Sequence, residues 1–450
     1  MAGEAVHELD ERSWLYRPSF PDDWERMSLL SMARWVNGLA FRDFQFSDTG
    51  KPVIKIAEIK GGITGQTKFT SQTFEDSVFV TNGDLLFSWS GQPETSIDVF
   101  WWRGRDGWLN QHIFKVTPIE DLDPVFFFYV LRYLKPNFIG IARNKQTTGL
   151  GHVTRRDLEN IEAAYPPLAK QKTIAAVLGA LDDKIELNRR MNATLEAMAR
   201  ALFQSWFVDF DPVRRNINRS SNRAAALSDE AMAKLDALFP DSFQDSELGP
   251  IPKGWDAKPL PDTIEVNPRR TLKARTVAPY LDMKNLPTQG HSAEEVINRE
   301  FSAGTKFQNG DTLLARITPC LENGKTGYVD FLEDGQVGWG STEYIVFAPK
   351  PPLPPQFGYI LARSDALRSH AIQNMTGTSG RQRVPSECFN TFWLAVPPPN
   401  IARRFDELTA PLMAKIKANA DQSRTLATLR DTLLPKLLSG ELGVPVVKRS

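Results

Sequence analysis

Pro261-Asp262 followed by Asp282-Met283-Lys284 is the set of acids and lysine with which a nuclease would hold Mg²⁺ and assist phosphodiester cleavage, because hard carboxylate oxygens suit that ion. The pattern is degenerate, and the repeated copy of the chain described below has Ser31 where Asp262 falls. Gly324-Lys325-Thr326 ends like a phosphate-binding loop, but the cradle needs a glycine at position 319, which is Pro319. A methyltransferase acting on a flipped adenine needs an Asn/Asp-Pro-Pro-aromatic motif. Neither Tyr165-Pro166-Pro167-Leu168 nor Pro397-Pro398-Pro399-Asn400 supplies it. His7, His112, His152, His291 and His370 are scattered without metal spacing or a nucleophile partner, and Cys320 and Cys388 are too few for a zinc site or a disulfide framework. The reading assigns no catalytic residue, no metal and no cofactor.

Binding chemistry is denser. Arg143, Asn144, Lys145, Gln146, His152, Arg155 and Arg156 fall in an acid-free stretch beside a Thr-Thr-Gly turn. A second acid-free stretch holds Arg368, Gln373, Asn374, Arg381, Gln382 and Arg383 beside Thr376-Gly377. Arg and Lys suit phosphates and guanine edges, and Asn and Gln suit adenine edges, so both stretches carry the chemistry of direct DNA readout. A further basic cluster, Arg269, Arg270, Lys273 and Arg275, follows Asn267-Pro268. For any single residue of these runs a solvated surface is the competing reading. The run Trp101 to Trp108, WWRGRDGW, could stack on bases, but core packing suits it better.

These stretches need elements to hold them. Leu168 to Phe207 is patterned as one helix, entered from Pro166-Pro167 and expected to stop at Asp211-Pro212. Ile174, Leu178, Leu181, Ile185, Leu195, Leu202 and Trp206 form a narrow stripe like a coiled-coil seam. At 1.5 Å per residue the helix would be a rod of roughly 60 Å, a spacer rather than a core element. Adding 231 to these numbers finds a second helix, with Phe405, Leu412, Ile416, Asn419, Leu426, Leu433 and Leu437 in the same seam and Asn419 matching Asn188 midway. Two such stripes can bury each other, and a mid-seam Asn in each is a register device that predicts antiparallel pairing.

The 231 offset also maps Pro21 and Trp24 onto Pro252 and Trp255, so the repeat is half the chain. Between the fixed ends the copies diverge. Asn82-Gly83-Asp84 resembles Asn309-Gly310-Asp311 at offset 227, and Thr148-Gly149 aligns with Thr376-Gly377 at offset 228. Short strand-like runs (53–57, 77–80, 84–89, 113–116, 344–347) and helices from Asp123-Pro124 and over 356–364 predict mixed units. The fold class is therefore α/β, with two mixed α+β units and two long antiparallel coiled-coil helices, internally duplicated about a pseudo-twofold. The expected segments are 1–165 (first mixed unit, with a polar leader bearing Trp14 and Tyr16), 166–208 (first long helix), 209–248 (linker with one short helix, Ser228 to Leu238, capped by Ser228), 249–398 (second mixed unit) and 399–440 (second long helix).

The 450 residues balance 54 Lys and Arg against 54 Asp and Glu, so overall charge is silent about nucleic acid and the local clusters must carry that argument. Acidic and basic residues from Glu4 to Arg12 occupy the place of a signal peptide, and the longest strongly apolar run, Val125 to Leu131, is too short to span a membrane. A cytoplasmic protein is expected.

The Pro-x-x-Trp openings at Trp24 and Trp255, the Asn-Gly-Asp turns, the helix after Pro166-Pro167, FQSWFVDFDP (203–212), LFPDSFQDSELGPIPKGW (238–255) and LLPKLLSGEL (433–442) together resemble the specificity subunits of type I restriction-modification systems over essentially the whole chain. The resemblance implies two recognition domains that each read half of a bipartite asymmetric site in double-stranded DNA. It also implies long helices (Ile174, Leu181, Asn188, Leu195 and Leu202 against Leu412, Asn419, Leu426 and Leu433) that pair and dock two adenine-N6 methyltransferase subunits and, through them, ATP-dependent restriction/translocase subunits. Such a subunit has no catalytic centre, and S-adenosylmethionine, ATP and Mg would belong to its partners. One departure is that the Gln usual near the start of the second helix is missing from NIARRFDEL. Two other classes stay open: a coiled-coil scaffold that binds only proteins, which would lack salt-dependent DNA affinity, and a stand-alone nuclease, which would cut DNA with Mg²⁺ alone.

Overall fold

The computed structural model describes residues 18–146, 149–221, 230–378 and 380–444. The expectations for Trp14, Tyr16, Thr148, Ser228 and Asp229 lie outside the described residues. Leu168–Phe207 and Pro399–Leu438 are each one helix of 40 residues, and the 231 interval holds at both ends. Packing groups the chain into two units, one comprising the residues up to Ile185 with Thr425 onward and the other Glu186–Arg424, so that each unit includes part of both helices.

The helices are antiparallel. In the second unit, Asn188 Nδ2 donates to Ser423 Oγ (3.2 Å) and Gln422 Oε1 (2.9 Å), whereas Asn192, further along, donates to the carbonyl of Ile416 (3.1 Å). Asn188 also reaches the Asn419 carbonyl (3.3 Å), while the Asn419 side chain donates to Asn192 Oδ1 (2.8 Å). The two buried midpoint asparagines thus meet through backbone, with Asn192 as the side-chain partner. Substituting Leu for both Asn188 and Asn419 should raise stability by about 1 kcal/mol while admitting alternative registers, since apolar pairs fit a seam better than amides but do not fix its phase. Chemical unfolding checks this, and a loss of stability would contradict it.

The stripe is narrow only in part. Leu181, Leu195, Leu202, Leu412, Leu426 and Leu433 are half-buried, as a seam requires, but Ala199, Phe203, Trp206 and Phe207 are all buried. The expected spacer is therefore broader there, because the end of the first helix enters the core of the second unit with Trp255, Phe357 and Phe405. The beginning of the same helix, through Ile174, Ala175 and Leu178, enters the core of the first unit beside Leu434, Leu437 and Leu438.

In the first unit, Glu25–Ser28 pairs with Glu162–Tyr165, and Ala33–Asn37, Ile113–Pro118, Leu85–Ser88 and Asp98–Trp101 form a sheet in that order. A second sheet runs Phe69–Thr70, Lys51–Ile54, Gly107–Leu109, Phe79–Val80, with its central pair parallel. The second unit repeats all three arrangements. Asp256–Pro259 pairs with Trp393–Val396; Ile264–Val266, Tyr344–Pro349, Thr312–Ala315 and Thr326–Tyr328 make the first sheet; Ile297–Glu300, Val277–Leu281, Gly338–Gly340 and Thr305–Phe307 make the second, again with a parallel central pair. Middles that diverge in sequence thus share one strand order.

The Asn-Gly-Asp turns explain part of that identity. Asp84 Oδ2 accepts the N–H of Thr81 (2.7 Å) and Asp311 Oδ2 that of Gln308 (2.8 Å), while Gly83 and Gly310 take φ of +96° and +90°, where a side chain would strain. Pro124 opens the helix Pro124–Tyr133, and Asp123 caps it by accepting from Val125 and Phe126 N–H. Buried Gln171 of the long helix then accepts the Asp123 N–H (2.8 Å) and donates to the carbonyls of Asp121 (2.8 Å) and Pro166 (2.9 Å). The position equivalent to Asp123 is Pro354, which has no N–H to satisfy, and Ala402 takes the place of Gln171. The missing Gln is thereby explained, and the second helix keeps the 231 register.

The segment 209–248 is more structured than a linker with one helix. The long helix does end at Phe207, but Pro212 stands in the first turn of a new helix, Asp211–Ser221, where the missing N–H costs nothing. Helix Glu230–Asp236 follows. Its fully buried Asp236 is held by Arg215 (2.7 Å) and Arg219 (2.7 Å), which accounts for the local arginine content.

Candidate nucleic-acid interface

In both units a loop returns across the end of the central sheet strand that follows the Asn-Gly-Asp turn. In the first, Gly151–His152 pairs with Ser90–Gly91; in the second, Arg383 bridges to Ile317. The backbone bonds match one for one. Trp89 N–H donates to the His112 carbonyl (3.2 Å) and Val153 N–H to that of Trp89 (2.8 Å); Arg316 N–H donates to the Glu343 carbonyl (3.0 Å) and Val384 N–H to that of Arg316 (2.9 Å). Val153 and Val384 are fully buried and anchor the loops.

Several predicted residues near the first loop are engaged by the fold. Lys145 holds Asp157 at 2.6 Å; burial alone would raise that carboxyl, but hydrogen bonds from Lys145 and Thr154 keep it below the usual range. Arg155 donates to the Trp35 carbonyl and lies over the Phe114 ring at 5.7 Å, and Arg143 pairs with Glu94 at 2.6 Å. Gln146 closes its turn on the Gly149 carbonyl (2.7 Å), Asn144 and Arg156 are exposed, and His152 is half-buried.

The second loop is a hairpin. Thr376 and Arg383 exchange backbone bonds of 2.9 Å, and Gly377 (φ +117°) and Gly380 (φ +79°) turn the tip. A Cβ on Gly377 would meet the Arg381 carbonyl at 3.3 Å. Gln382 is tied to Thr318 through backbone and hydroxyl, and Arg381 is exposed without a partner among the described residues. Arg383 lays Nε and Nη2 on the Glu343 carboxylate at 2.7–3.0 Å, which holds its pKa above the usual arginine value. Of the third cluster, Arg269, Lys273 and Arg275 are exposed. Arg270 binds buried Asp311 of the Asn-Gly-Asp turn (2.7 Å), as Lys115 binds Asp84 (2.9 Å) in the first unit. Burial raises the Asp311 carboxyl despite that arginine.

A cleft of about 300 Å³ in the second unit has a lining that includes Arg270, Lys306, Arg316, Thr342 and Tyr344. Arg316 Nε is buried in the protein and meets no partner among the described residues. Arg316, Lys306, Glu343 and Trp89 are not among the binding residues expected from the sequence, and His112 figures there only as one of five scattered histidines. For Trp89 and Arg316 the signal available was their place one step past the strands Leu85–Ser88 and Thr312–Ala315, which the repeat aligns at offset 227. Trp102 and Trp108 are buried core residues, and Trp101 packs on Phe128 at 5.6 Å, so the Trp-rich run is structural. Asp262 is exposed and Asp282 caps a turn by accepting the Lys284 N–H (2.9 Å); no group of three or more potential metal ligands occurs among the described residues. No helix among them is long and apolar enough to cross a membrane.

Residues 21–197 match the family described as type I restriction modification DNA specificity domain. The chain is 27% identical to the MjaIX specificity subunit of Methanocaldococcus jannaschii over 64% of its own length and 62% of that protein, so just under two thirds of this relative is spanned. It is 23% identical to the type I restriction enzyme HindI specificity subunit of Haemophilus influenzae over 93% of its length and all of that protein. In three dimensions it is similar to the type I restriction-modification S subunit of M. genitalium, with a TM-score of 0.50, 16% identity and coverage of 94% and 99% of the two chains, a likeness of fold.

Proposed function

We propose that the chain, similar as it is to specificity subunits of type I restriction-modification systems, is itself such a subunit, the non-catalytic component that reads a bipartite, asymmetric sequence in double-stranded DNA, one half with each recognition unit. The long helices dock two methyltransferase subunits and, through them, restriction/translocase subunits. Leu187 and Met198, each 53% exposed on the first helix, are apolar groups that such docking would cover. S-adenosylmethionine, ATP and Mg²⁺ are bound by the partners, in the cytoplasm.

One observation carries the reading. Two units share the strand order of three of their sheets, yet place different side chains at matching backbone positions, which is what two unlike half-sites require of one fold. Affinity of the chain, assembled with its methyltransferase subunits, for duplex DNA at two salt concentrations tests it. Binding that weakens steeply with salt is expected. Salt-independent or absent binding would favour a protein scaffold, and cleavage by the chain with Mg²⁺ alone would favour a nuclease. Arg381 has no buttress, so it suits a phosphate: Arg381→Ala should weaken binding to all sequences alike and lower the salt slope by about one. A base-specific loss measured on single-base variants would contradict that assignment.

A further inference from the structure

The matched backbone bonds make Trp89, His112 and His152 the register equivalents of Arg316, Glu343 and Arg383. Around them the core is shared in kind: Ser88 and Ala315, Ile113 and Tyr344, and Val153 and Val384 are all buried. At the three positions themselves the chemistry changes completely. The first unit presents an indole whose Nε1 is fixed on Asn37 Oδ1 (2.9 Å) and whose ring meets the His112 ring at 5.6 Å, with Gln111 hydrogen-bonded to His112 at 3.1 Å. The second presents two guanidinium groups and a carboxylate.

Resting on the DNA-reading function proposed above, we infer that these equivalent positions are the base-reading cluster of each unit, and that in the second unit Arg383 reads a guanine in the major groove with Arg316 beside it. Three features lead there. Glu343 takes the Nε and Nη2 side of Arg383, which fixes the plane of the guanidinium and leaves its Nη1 edge for a guanine O6 and N7. A phosphate contact needs no such orientation, and an anionic neighbour opposes it. Arg316, whose carbonyl accepts the Val384 N–H next to Arg383, lines a cleft with Lys306 and Thr342, and its Nε has no partner among the described residues. Finally, the backbone of the cluster is held by buried valine and strand pairing, the rigid support that base discrimination demands of a side chain. In the first unit, imidazole and amide edges at His112, His152 and Gln111 replace the guanidiniums, so that unit reads a different base pair.

The test is the methylated motif conferred by the full chain with its methyltransferase subunits in cells, for the wild type, Arg383→Gln, Arg383→Lys, Glu343→Gln and His152→Ala. Arg383→Gln is expected to make one base pair of one half-site degenerate and leave the other half intact. Arg383→Lys should do the same, because lysine keeps the charge but not the fork, and Glu343→Gln should relax that same position more weakly. His152→Ala should act only on the other half-site. A uniform fall in methylation with no position relaxed, restored by Arg383→Lys, would reassign Arg383 to a phosphate and overturn the inference. So would a full wild-type motif in every variant. Should the wild-type chain determine no motif at all, the proposed function fails, a result distinct from either.

Discussion

Exchanging residues 21–165 for the corresponding segment of a relative with a different site is expected to rewrite one half of the methylated motif and leave the other half and the spacing unchanged. The ends of the segment are zipped together by Glu25–Ser28 against Glu162–Tyr165, with Glu25 opposite Tyr165, and its chain leaves through Pro166-Pro167 into the long helix, whose Ile174 and Leu178 share its core. A demanding junction is Gln171, which needs the Asp123 N–H and the carbonyls of Asp121 and Pro166; Tyr129, which donates to Asp182 at 2.7 Å, is another. A donor segment without a matching N–H would bury an unpartnered amide oxygen, a cost of about 1–3 kcal/mol that would lower the amount of folded chimera without altering which bases are read. Sequencing of adenine methylation reads the outcome directly. A change in both halves would mean that the two units read DNA jointly.

Trp206→Ala is expected to remove about 3–5 kcal/mol from the second unit, the usual range for truncating a buried tryptophan to alanine. Trp206 is 2% exposed, and its ring lies 4.9 Å from Phe239 and 6.0 Å from Phe405. Neighbouring aromatic rings are rigid and fill the space poorly when one is lost. The substitution falls on a long helix, yet its effect should appear in the transition of the second unit, because Trp206 belongs to that unit's core and the first unit has a separate one. Thermal unfolding followed by calorimetry checks the size. A loss below about 1 kcal/mol would show that the helix end is only loosely joined to that core.

The long helices were legible in sequence because three- and four-residue spacing, proline punctuation and an internal copy all agreed; they run from Leu168 to Phe207 and from Pro399 to Leu438, within the expected segments 166–208 and 399–440. The cap at Asp123-Pro124 was legible for the same local reasons. Strand order was not: pairings such as Lys51–Ile54 with Gly107–Leu109 join residues remote in sequence, and the copies had drifted from offset 231 to 227 in between. Pro212 misled because a proline that ends one helix also suits the first turn of the next. The basic runs were visible, but their partners were not. Arg155 finds the Trp35 carbonyl and Arg270 finds Asp311, groups that only folding brings together. Conversely Arg316 follows Trp89 at the offset of 227 that relates the Asn-Gly-Asp turns, whereas His112 stands in unremarkable sequence and only the matched backbone bonds mark it as equivalent to Glu343.

Genome-wide mapping of adenine methylation in cells with and without the gene tests the central claim most directly. The account predicts two short specified segments separated by unspecified bases, methylated when the gene is present and unmethylated when it is deleted. A motif that persists in the deletion strain, or an undivided motif that depends on the gene, would contradict it.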